Sequence, residues 1–190
     1  MEYYKENAKD YIENTITVDM SRLYIDFLEF VPIYGKIFDV GCGSGRDTKK
    51  FIEMGYSVVA IDPVEEFVRY SSEYTGQKTL LMKAEDIEFE HEFDGIWACA
   101  SLLHIEPKNM PMVLRKLYIA LKKNGVLFIS VKHGEFEGER NGRYFCDYTE
   151  EKFEKTGYRN IGFKLIKIDN NNDIRPGRKN EKWLNIFLRK

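Results

Sequence analysis

The stretch KIFDVGCGSGRD, residues 36–47, gives the strongest indication of the fold. It begins as a short apolar run, breaks into three glycines at alternate positions, and continues into an amphipathic segment that ends at Gly55. Glycines at a strand-to-helix turn let the backbone turn tightly and approach a ligand where a Cβ would clash. The free amides and the dipole of the following helix then face that ligand. We therefore predict a strand, a ligand-binding turn and a helix in this order.

An acidic residue follows at the end of the next apolar run. The segment SVVAID, residues 57–62, has the pattern of a second buried strand and ends at Asp62. A carboxylate at that position accepts hydrogen bonds from both ribose hydroxyls of an adenosine-containing ligand. No Gly-Lys-Ser/Thr sequence follows the glycines, which excludes a Walker A loop. The glycine turn together with Asp62 therefore predicts an adenosine-containing ligand.

The glycine spacing indicates which ligand this is. The pattern is Gly-x-Gly-x-Gly, and Asp39 stands two residues before the first glycine. An acid there repels the pyrophosphate of a dinucleotide but suits the ammonium group of an amino acid. S-adenosylmethionine carries an amino acid and has no pyrophosphate. We therefore predict S-adenosylmethionine as the cofactor.

The rest of the chain alternates strands and helices. Further strands are predicted in TLLMKAEDI, FDGIWACAS and GVLFISVK, and helices are predicted over residues 19–31, 46–55, 107–123 and 149–157, with one more that opens at Pro63. This alternation is typical of βαβ units and of a parallel sheet covered on both faces. The last two apolar runs, FKLIKID and KWLNIFLRK, are joined by a turn-rich connection and predict an antiparallel hairpin.

The motif DVGCGSG resembles, at every position, the [DE]-x-G-x-G-x-G motif of class I S-adenosylmethionine-dependent methyltransferases. The resemblance extends from about residue 35 to the end of the chain. It implies an α/β fold: a Rossmann-like three-layer sandwich whose seven-stranded, mostly parallel sheet has the order 3-2-1-4-5-7-6, with the seventh strand antiparallel and helices on both faces. It also implies a single domain, with an N-terminal helical cap over residues 1–34 and a core over residues 35–190. The Gly-Arg-Asp sequence after the motif resembles small methyltransferases of the tellurite-resistance and thiopurine type.

The resemblance also implies which residues bind the cofactor. Those expected around its methionine part are Asp39, Gly41, Cys42 and Gly43, with Ala98 and Cys99 lending a backbone carbonyl to its ammonium group. Those expected around its adenosine part are Asp62 for the ribose, Pro63 and Val64 beside the adenine, and Glu85 or Asp86 for the adenine amino group.

Catalytic residues are less constrained by the sequence. Methyl transfer from a sulfonium is an in-line displacement on an activated donor, so positioning alone contributes roughly 7–11 kcal/mol, and a base is needed only if the nucleophile must lose a proton. The candidates at the carboxyl edge of the sheet are His104, His133 and Tyr144. A packing role is the alternative for His104. The aromatic stretch over residues 133–148 is either a loop that covers the acceptor or a solvated excursion.

Composition restricts the partners. The chain of 190 residues has a formal net charge of −2, which gives no strong attraction to nucleic acid or to anionic membranes. Its three cysteines and three histidines show no ligand spacing, so no metal site is predicted and a reducing cytoplasm is expected. We expect a small-molecule acceptor, with an RNA or protein methyltransferase and a non-catalytic cofactor-binding module as alternatives. Tyr3 and Tyr4 are either a lid over the cofactor or surface anchors.

Overall fold

A computed structural model describes residues 3–4, 7–175, 177–178 and 180–190 and shows a seven-stranded sheet with a separate two-stranded hairpin. The strands are β1 (Lys36–Val40), β2 (Ser57–Asp62), β3 (Leu80–Leu81), β4 (Phe93–Cys99), β5 (Leu121–Lys132), β6 (Glu137–Arg140), β7 (Arg143–Cys146), β8 (Lys164–Asn172) and β9 (Lys182–Arg189). The large sheet has the order β3-β2-β1-β4-β5-β9-β8. Strand β9 runs antiparallel to β5 and β8 on its two sides, and the other neighbouring pairs are parallel. With β8 and β9 as the sixth and seventh strands of that sheet, the predicted fold class and strand order are confirmed.

Seven α-helices and two 3₁₀ turns connect the strands of the described residues. The helices are α1 (Ala8–Thr15), α2 (Ser21–Leu28), α3 (Arg46–Glu53), α4 (Glu65–Thr75), α5 (Met110–Ala120), α6 (Glu150–Glu154) and α7 (Tyr158–Ile161). The 3₁₀ turns lie at Ala84–Asp86 and Leu102–His104. None of the helices described is long and apolar enough to cross a membrane.

Two apolar cores lie on the opposite faces of the sheet. On one face, Val113, Leu114 and Leu117 of α5 pack in a buried cluster with alternate residues of the central strands. On the other face, Leu23, Tyr24 and Phe27 of α2 pack against an aromatic group formed by Phe51, Trp97, Phe128 and Phe187. Each helix therefore buries one apolar stripe against the sheet, which produces the three-layer arrangement.

The sheet face under α2 changes from aromatic to polar toward the carboxyl ends of its parallel strands. Beyond Phe128 and Phe187, the next residues on the same face are Ser130 and Asn185, which lie opposite each other in the β5–β9 register. Asn185 in turn lies opposite Asp169 of β8, so three adjacent strands present a row of polar side chains. All three residues line the main cavity of the molecule. The polar row therefore becomes the floor of that cavity.

The stretch after β5 differs from its prediction. Residues 137–146 form the hairpin β6–β7, with Asn141 and Gly142 between its strands. Both turn residues have positive φ, at 51° and 71°, as a two-residue turn of the Asn-Gly type requires. The expectation of a loop or a solvated excursion therefore missed a local signal that the sequence contains. Phe145 and Tyr148 are buried, and Tyr148 packs edge-on against Phe153.

Several element boundaries also differ. The helix after β2 begins at Glu65, so Pro63 precedes it and does not occupy its first turn. The third strand is only Leu80–Leu81, because the chain turns into the 3₁₀ segment within three residues. The segment predicted as one helix over residues 149–157 forms α6 and is followed, after Gly157, by the separate helix α7. Gly157 has a φ of 74°, which ends the first helix and allows the second to start in another direction.

Candidate cofactor and acceptor site

The glycine turn between β1 and α3 is held closely against neighbouring segments. Gly41 has a φ of 76°, and a Cβ placed there would lie 2.5 Å from Cβ of Ser101. The amides of Gly41 and Cys42 both donate to the carbonyl of Ile61, which ties the turn to the end of β2. A side chain at Gly41 would therefore push the turn away from the segment after β4. These contacts fix the position of the turn, whose residues Gly41, Cys42 and Gly43 line the cavity.

Asp62 lies beside the same turn. Its two carboxylate oxygens accept hydrogen bonds from the amides of Val64 and Gly43, each at 2.9 Å. Burial raises the pKa of Asp62 to about 6, although both amides favour the charged form. Each oxygen keeps a second lone pair, so the carboxylate is still able to accept two hydroxyl donors. Asp62 therefore fits the predicted ribose-binding role.

Asp39 lies beneath the glycine turn and does not line the cavity. It is buried and accepts a hydrogen bond of 2.5 Å from the Thr48 hydroxyl of α3. Burial and the charge of Asp47 together raise the pKa of Asp39 to about 8. Through Thr48, Asp39 ties the end of β1 to α3. The structure thus gives this acid a contact that supports the turn.

Arg46 and Asp47 form a buried ion pair at the start of α3, which the sequence prediction did not assign to the site. The Arg46 guanidinium donates to both carboxylate oxygens of Asp47, at 2.7 and 2.9 Å. Asp47 also accepts hydrogen bonds from the Tyr24 hydroxyl at 2.5 Å and from the Trp97 indole at 2.9 Å. Burial opposes ionisation of Asp47, but Arg46 and the other donors lower its pKa below the usual value. The pair joins α2, α3 and β4 under the cavity.

A cavity of about 1090 Å³ extends from this turn to the far end of the sheet. It begins at the glycine turn and ends between the β6–β7 hairpin and the ends of β8 and β9. Between these ends it passes Cys99, the last residue of β4, and Ala100. At the turn it is lined by Gly41, Cys42, Gly43, Ser44 and Arg46. Of the predicted cofactor residues, it includes Gly41, Cys42, Gly43 and Cys99. The predicted residues that do not line it are Asp39, Asp62, Pro63, Val64, Glu85, Asp86 and Ala98.

Helix α1 and Tyr4 cover the adenosine end of the expected site. Tyr11 lies over the turn, with its Cε1 atom 3.4 Å from where a Cβ of Gly43 would stand. The rings of Tyr4 and Tyr11 pack against Phe67 of α4, with centroid distances of 5.6 and 5.2 Å. Val64 belongs to the same buried cluster. These aromatic contacts place Tyr4 at the site and not on an open surface.

His104 is the predicted catalytic candidate that the structure brings into the cavity with defined partners. Its Nδ1 atom lies 2.7 Å from the carbonyl oxygen of Tyr144, and its Nε2 atom lies 2.9 Å from the hydroxyl of Tyr4. Because a carbonyl only accepts, Nδ1 carries the proton and Nε2 accepts from Tyr4. Burial lowers the pKa of His104 to about 4, although the Tyr144 carbonyl favours the charged form. The imidazole is therefore neutral at pH 7, with a basic nitrogen toward Tyr4.

The other two candidates are placed differently. His133 lines the cavity where β5 ends. The side chain of Tyr144 instead lines a smaller cleft with Glu106, Lys108 and Glu137, and its contribution to the main cavity is the carbonyl that orients His104. Among the described residues no group of three or more metal-binding side chains is found.

Residues 38–129, from β1 to the middle of β5, match the family described as "Methyltransferase domain". This segment, just under half of the chain, is similar to a methyltransferase domain. Solved structures with the same fold are described as S-adenosylmethionine-dependent methyltransferases, and one of them contains S-adenosylhomocysteine, so the predicted class and cofactor are confirmed. This family match does not distinguish the tellurite-resistance type from other methyltransferases.

Proteins with different activities are similar to this chain in sequence or in fold. The mitochondrial ubiquinone biosynthesis O-methyltransferase of Rattus norvegicus is 34% identical over 110 residues, which is 52% of this chain and 31% of that protein. The 1,6-didemethyltoxoflavin-N1-methyltransferase of Burkholderia thailandensis, crystallised with 1,6-didemethyltoxoflavin and S-adenosylhomocysteine, has a TM-score of 0.78 and 22% identity over 100% of this chain and 84% of its own. The [4+2]-cyclase SpnF has a TM-score of 0.71 and 15% identity over 100% of this chain and 94% of its own.

The chain spans less than half the length of two curated relatives that it matches. It covers 46% of the putative methyltransferase YqeM of Bacillus subtilis and 31% of the Rattus norvegicus protein. The structural neighbours share the fold over nearly the whole chain, at identities too low to transfer a substrate. The fold alone does not specify the reaction, since a cyclase also adopts it.

Proposed function

We propose that this protein transfers the methyl group of S-adenosylmethionine to a small-molecule acceptor. The observation that carries the proposal is one continuous cavity, which joins the glycine turn to a polar floor and to His104. In this proposal the cofactor supplies an electrophilic methyl group on a sulfonium. The acceptor approaches from the side of the hairpin, whose residues Arg140, Asn141 and Arg143 line the cavity.

The cofactor roles proposed for individual residues follow their positions. Gly41, Cys42 and Gly43 lie where a methionine part contacts backbone, and Asp62 holds the ribose hydroxyls with its free lone pairs. Ala98 and Cys99 at the end of β4 lend a carbonyl to the ammonium group. Pro63, Val64, Glu85 and Asp86 form the adenine side.

Residues 1–34 act in this proposal as a helical cap on the single core over residues 35–190. Residues 1–2 and 5–6 lie outside the described residues, and the described parts of this cap that reach the site are Tyr4 and α1. Tyr11 and Tyr4 cover the adenosine end, so the cofactor enters when this segment lifts. The free cysteines and the Gly-Arg-Asp sequence support a cytoplasmic protein of the tellurite-resistance or thiopurine type as the finer form of the proposal.

His104 is proposed as the base when the acceptor must lose a proton. The proton passes to Nε2 through the hydroxyl of Tyr4, which already donates to that nitrogen. Since Tyr144 fixes the tautomer, Nε2 is always the accepting atom. His133 has no comparable orienting hydrogen bond among the described residues.

Replacing His104 with Gln is expected to lower turnover by about 10²–10⁴-fold, because amide nitrogen and oxygen retain hydrogen bonding without basicity. The affinity for S-adenosylhomocysteine, measured by calorimetry, is expected to stay within about twofold. His133→Gln serves as the matched control in the same cavity. If turnover fell in His133→Gln and not in His104→Gln, the base would be His133 and the proposal for His104 would be wrong.

The function is tested first by ligand-dependent melting. S-adenosylhomocysteine is expected to raise the melting temperature because it binds only the folded state, and NAD is expected to leave it unchanged. Release of S-adenosylhomocysteine is then followed with a panel of small thiols, amines, phenols and halide or metalloid acceptors. Stabilisation by NAD alone removes the methyltransferase proposal. Cofactor binding without turnover on the panel, but with RNA or protein methylation, favours the alternative substrates, and binding without any turnover favours the non-catalytic module.

A further inference from the structure

Arg143 on the β6–β7 hairpin lines the acceptor side of the cavity and is held by aromatic rings. Its guanidinium carbon lies 4.3 Å from the ring centroid of Tyr3, 5.3 Å from that of Tyr4 and 5.0 Å from that of Phe145. Its hydrogen bond to the described residues is a long one, 3.3 Å to the Tyr4 hydroxyl. The Nε atom is buried and has no partner there. Most donors of a rigid, pre-oriented guanidinium are therefore unused.

The other buried charges of the cavity are already neutralised. Asp47 pairs with Arg46, Asp147 pairs with Arg140 at 2.7 Å, and Lys132 pairs with Glu181. Within the described part of the chain, no carboxylate lies within ion-pair distance of Arg143. A half-buried cation without a counter-ion is costly unless a ligand supplies the negative charge. The guanidinium of Arg143 is therefore available to pair with an anion that enters the cavity.

The floor of the cavity adds a second requirement. The Nδ2 atom of Asn185 donates to Asp169 at 3.1 Å and to Asn171 at 2.5 Å, which fixes the orientation of its amide. The Oδ1 atom of Asn185 is buried and receives no hydrogen bond from the described residues. Ser130, which lies opposite Asn185, also lines the cavity. An occupant that donates an N–H or O–H group would satisfy this floor.

We infer that the acceptor is a small organic acid, whose anionic group is bound by the Arg143 guanidinium while a polar group donates to Asn185. The inference rests on the proposed methyl transfer and names the chemical class of its acceptor. Carboxylate and phosphate share the planar or tetrahedral oxygen pairs that a guanidinium fork binds. Arg143 on the hairpin is therefore expected to select acceptors by their charge.

The test uses matched pairs of an acid and its amide: benzoate with benzamide, and 3,4-dihydroxybenzoate with 3,4-dihydroxybenzamide. Phenyl phosphate is added to separate phosphate from carboxylate. Each probe is titrated into the full-length protein saturated with S-adenosylhomocysteine, and binding is measured by melting temperature and by calorimetry. The variants are Arg143→Gln and Arg143→Lys, with Arg22→Gln as the control, because Arg22 is an exposed arginine at the rim of the same cavity.

At least one acid is expected to bind tenfold or more tightly than its amide in the wild type and in Arg22→Gln. The preference is expected to disappear in Arg143→Gln and to persist in weakened form in Arg143→Lys. S-adenosylhomocysteine affinity is expected to stay unchanged in Arg22→Gln, and it is measured separately in the two Arg143 variants, because Arg143 contacts Tyr4 at the cofactor end. Equal binding of acids and amides, binding of no acid at all, or an undiminished preference in Arg143→Gln overturns the inference. Failure of S-adenosylhomocysteine to bind the wild type is a separate result, which removes the proposed function instead.

Discussion

Replacing Asp47 with Asn is expected to lower the free energy of unfolding by about 3–5 kcal/mol, which is the usual cost of removing one partner from a buried ion pair. The carboxylate accepts from three groups: the Arg46 guanidinium, the Tyr24 hydroxyl and the Trp97 indole. Asn keeps the size of the side chain but loses the charge and turns one acceptor into a donor. Arg46, with 18% of its side chain exposed, is then left without a counter-ion.

The measurement is the urea midpoint, followed by circular dichroism, with the slope checked to be unchanged. Glu151→Gln is the control, because Glu151 forms an exposed ion pair with Lys155 and its side chain is 84% exposed. Exposed pairs contribute about 0–1 kcal/mol, so this variant is expected to unfold close to the wild type. A loss below about 1 kcal/mol in Asp47→Asn would mean that the aromatic packing around Trp97 holds the three elements together without the pair.

Replacing Asp62 with Ala is expected to weaken S-adenosylhomocysteine binding by about 1–3 kcal/mol, or roughly 5–150-fold, because two ribose hydroxyls lose a charged acceptor. Part of the loss arises from the amides of Gly43 and Val64, which lose their carboxylate as well. Calorimetry measures the affinity, and Glu88→Gln, on an exposed residue of the segment before β4, is the control. Unchanged affinity in a folded Asp62→Ala protein places the ribose elsewhere.

The pH dependence gives an independent check on Asp62. Its pKa is raised by burial from the ordinary 3.8 to about 6, so in the folded protein without ligand the carboxyl takes up a proton as the pH falls through about 6. The stability that this group contributes is fully present below about pH 4 and is lost as the pH rises through about 6. Ligand binding has the opposite sign, since the hydroxyls need the carboxylate, and the affinity is expected to fall as the pH drops below about 6. In Asp62→Asn this decline is expected to vanish. The pKa of Asp39 is about 8, so titration of Asp39 does not account for a change in affinity between pH 5 and 7.

The sequence by itself determined the sheet, the turn and the class of cofactor. These are encoded by contiguous residues: apolar runs of strand length, glycines at alternate positions from Gly41, and an acid at the end of the next strand. Their physical meaning is local, because a turn that needs positive φ at Gly41 requires glycine whatever surrounds it. The Asn141-Gly142 turn was of the same local kind, and the hairpin was therefore predictable although it was missed.

The partners of the acceptor side were decided only by the tertiary structure. Tyr4 and His104 are 100 residues apart, and Arg143 lies 139 residues from Tyr4. No spacing rule connects such positions, because their contact depends on how α1 and the hairpin fold back over the edge of the sheet. Ser130 and Asn185 each interrupt an apolar strand, which signals an unusual environment in the sequence. Only the pairing of β5 with β9 sets these two polar side chains opposite each other and turns them into the floor of one cavity.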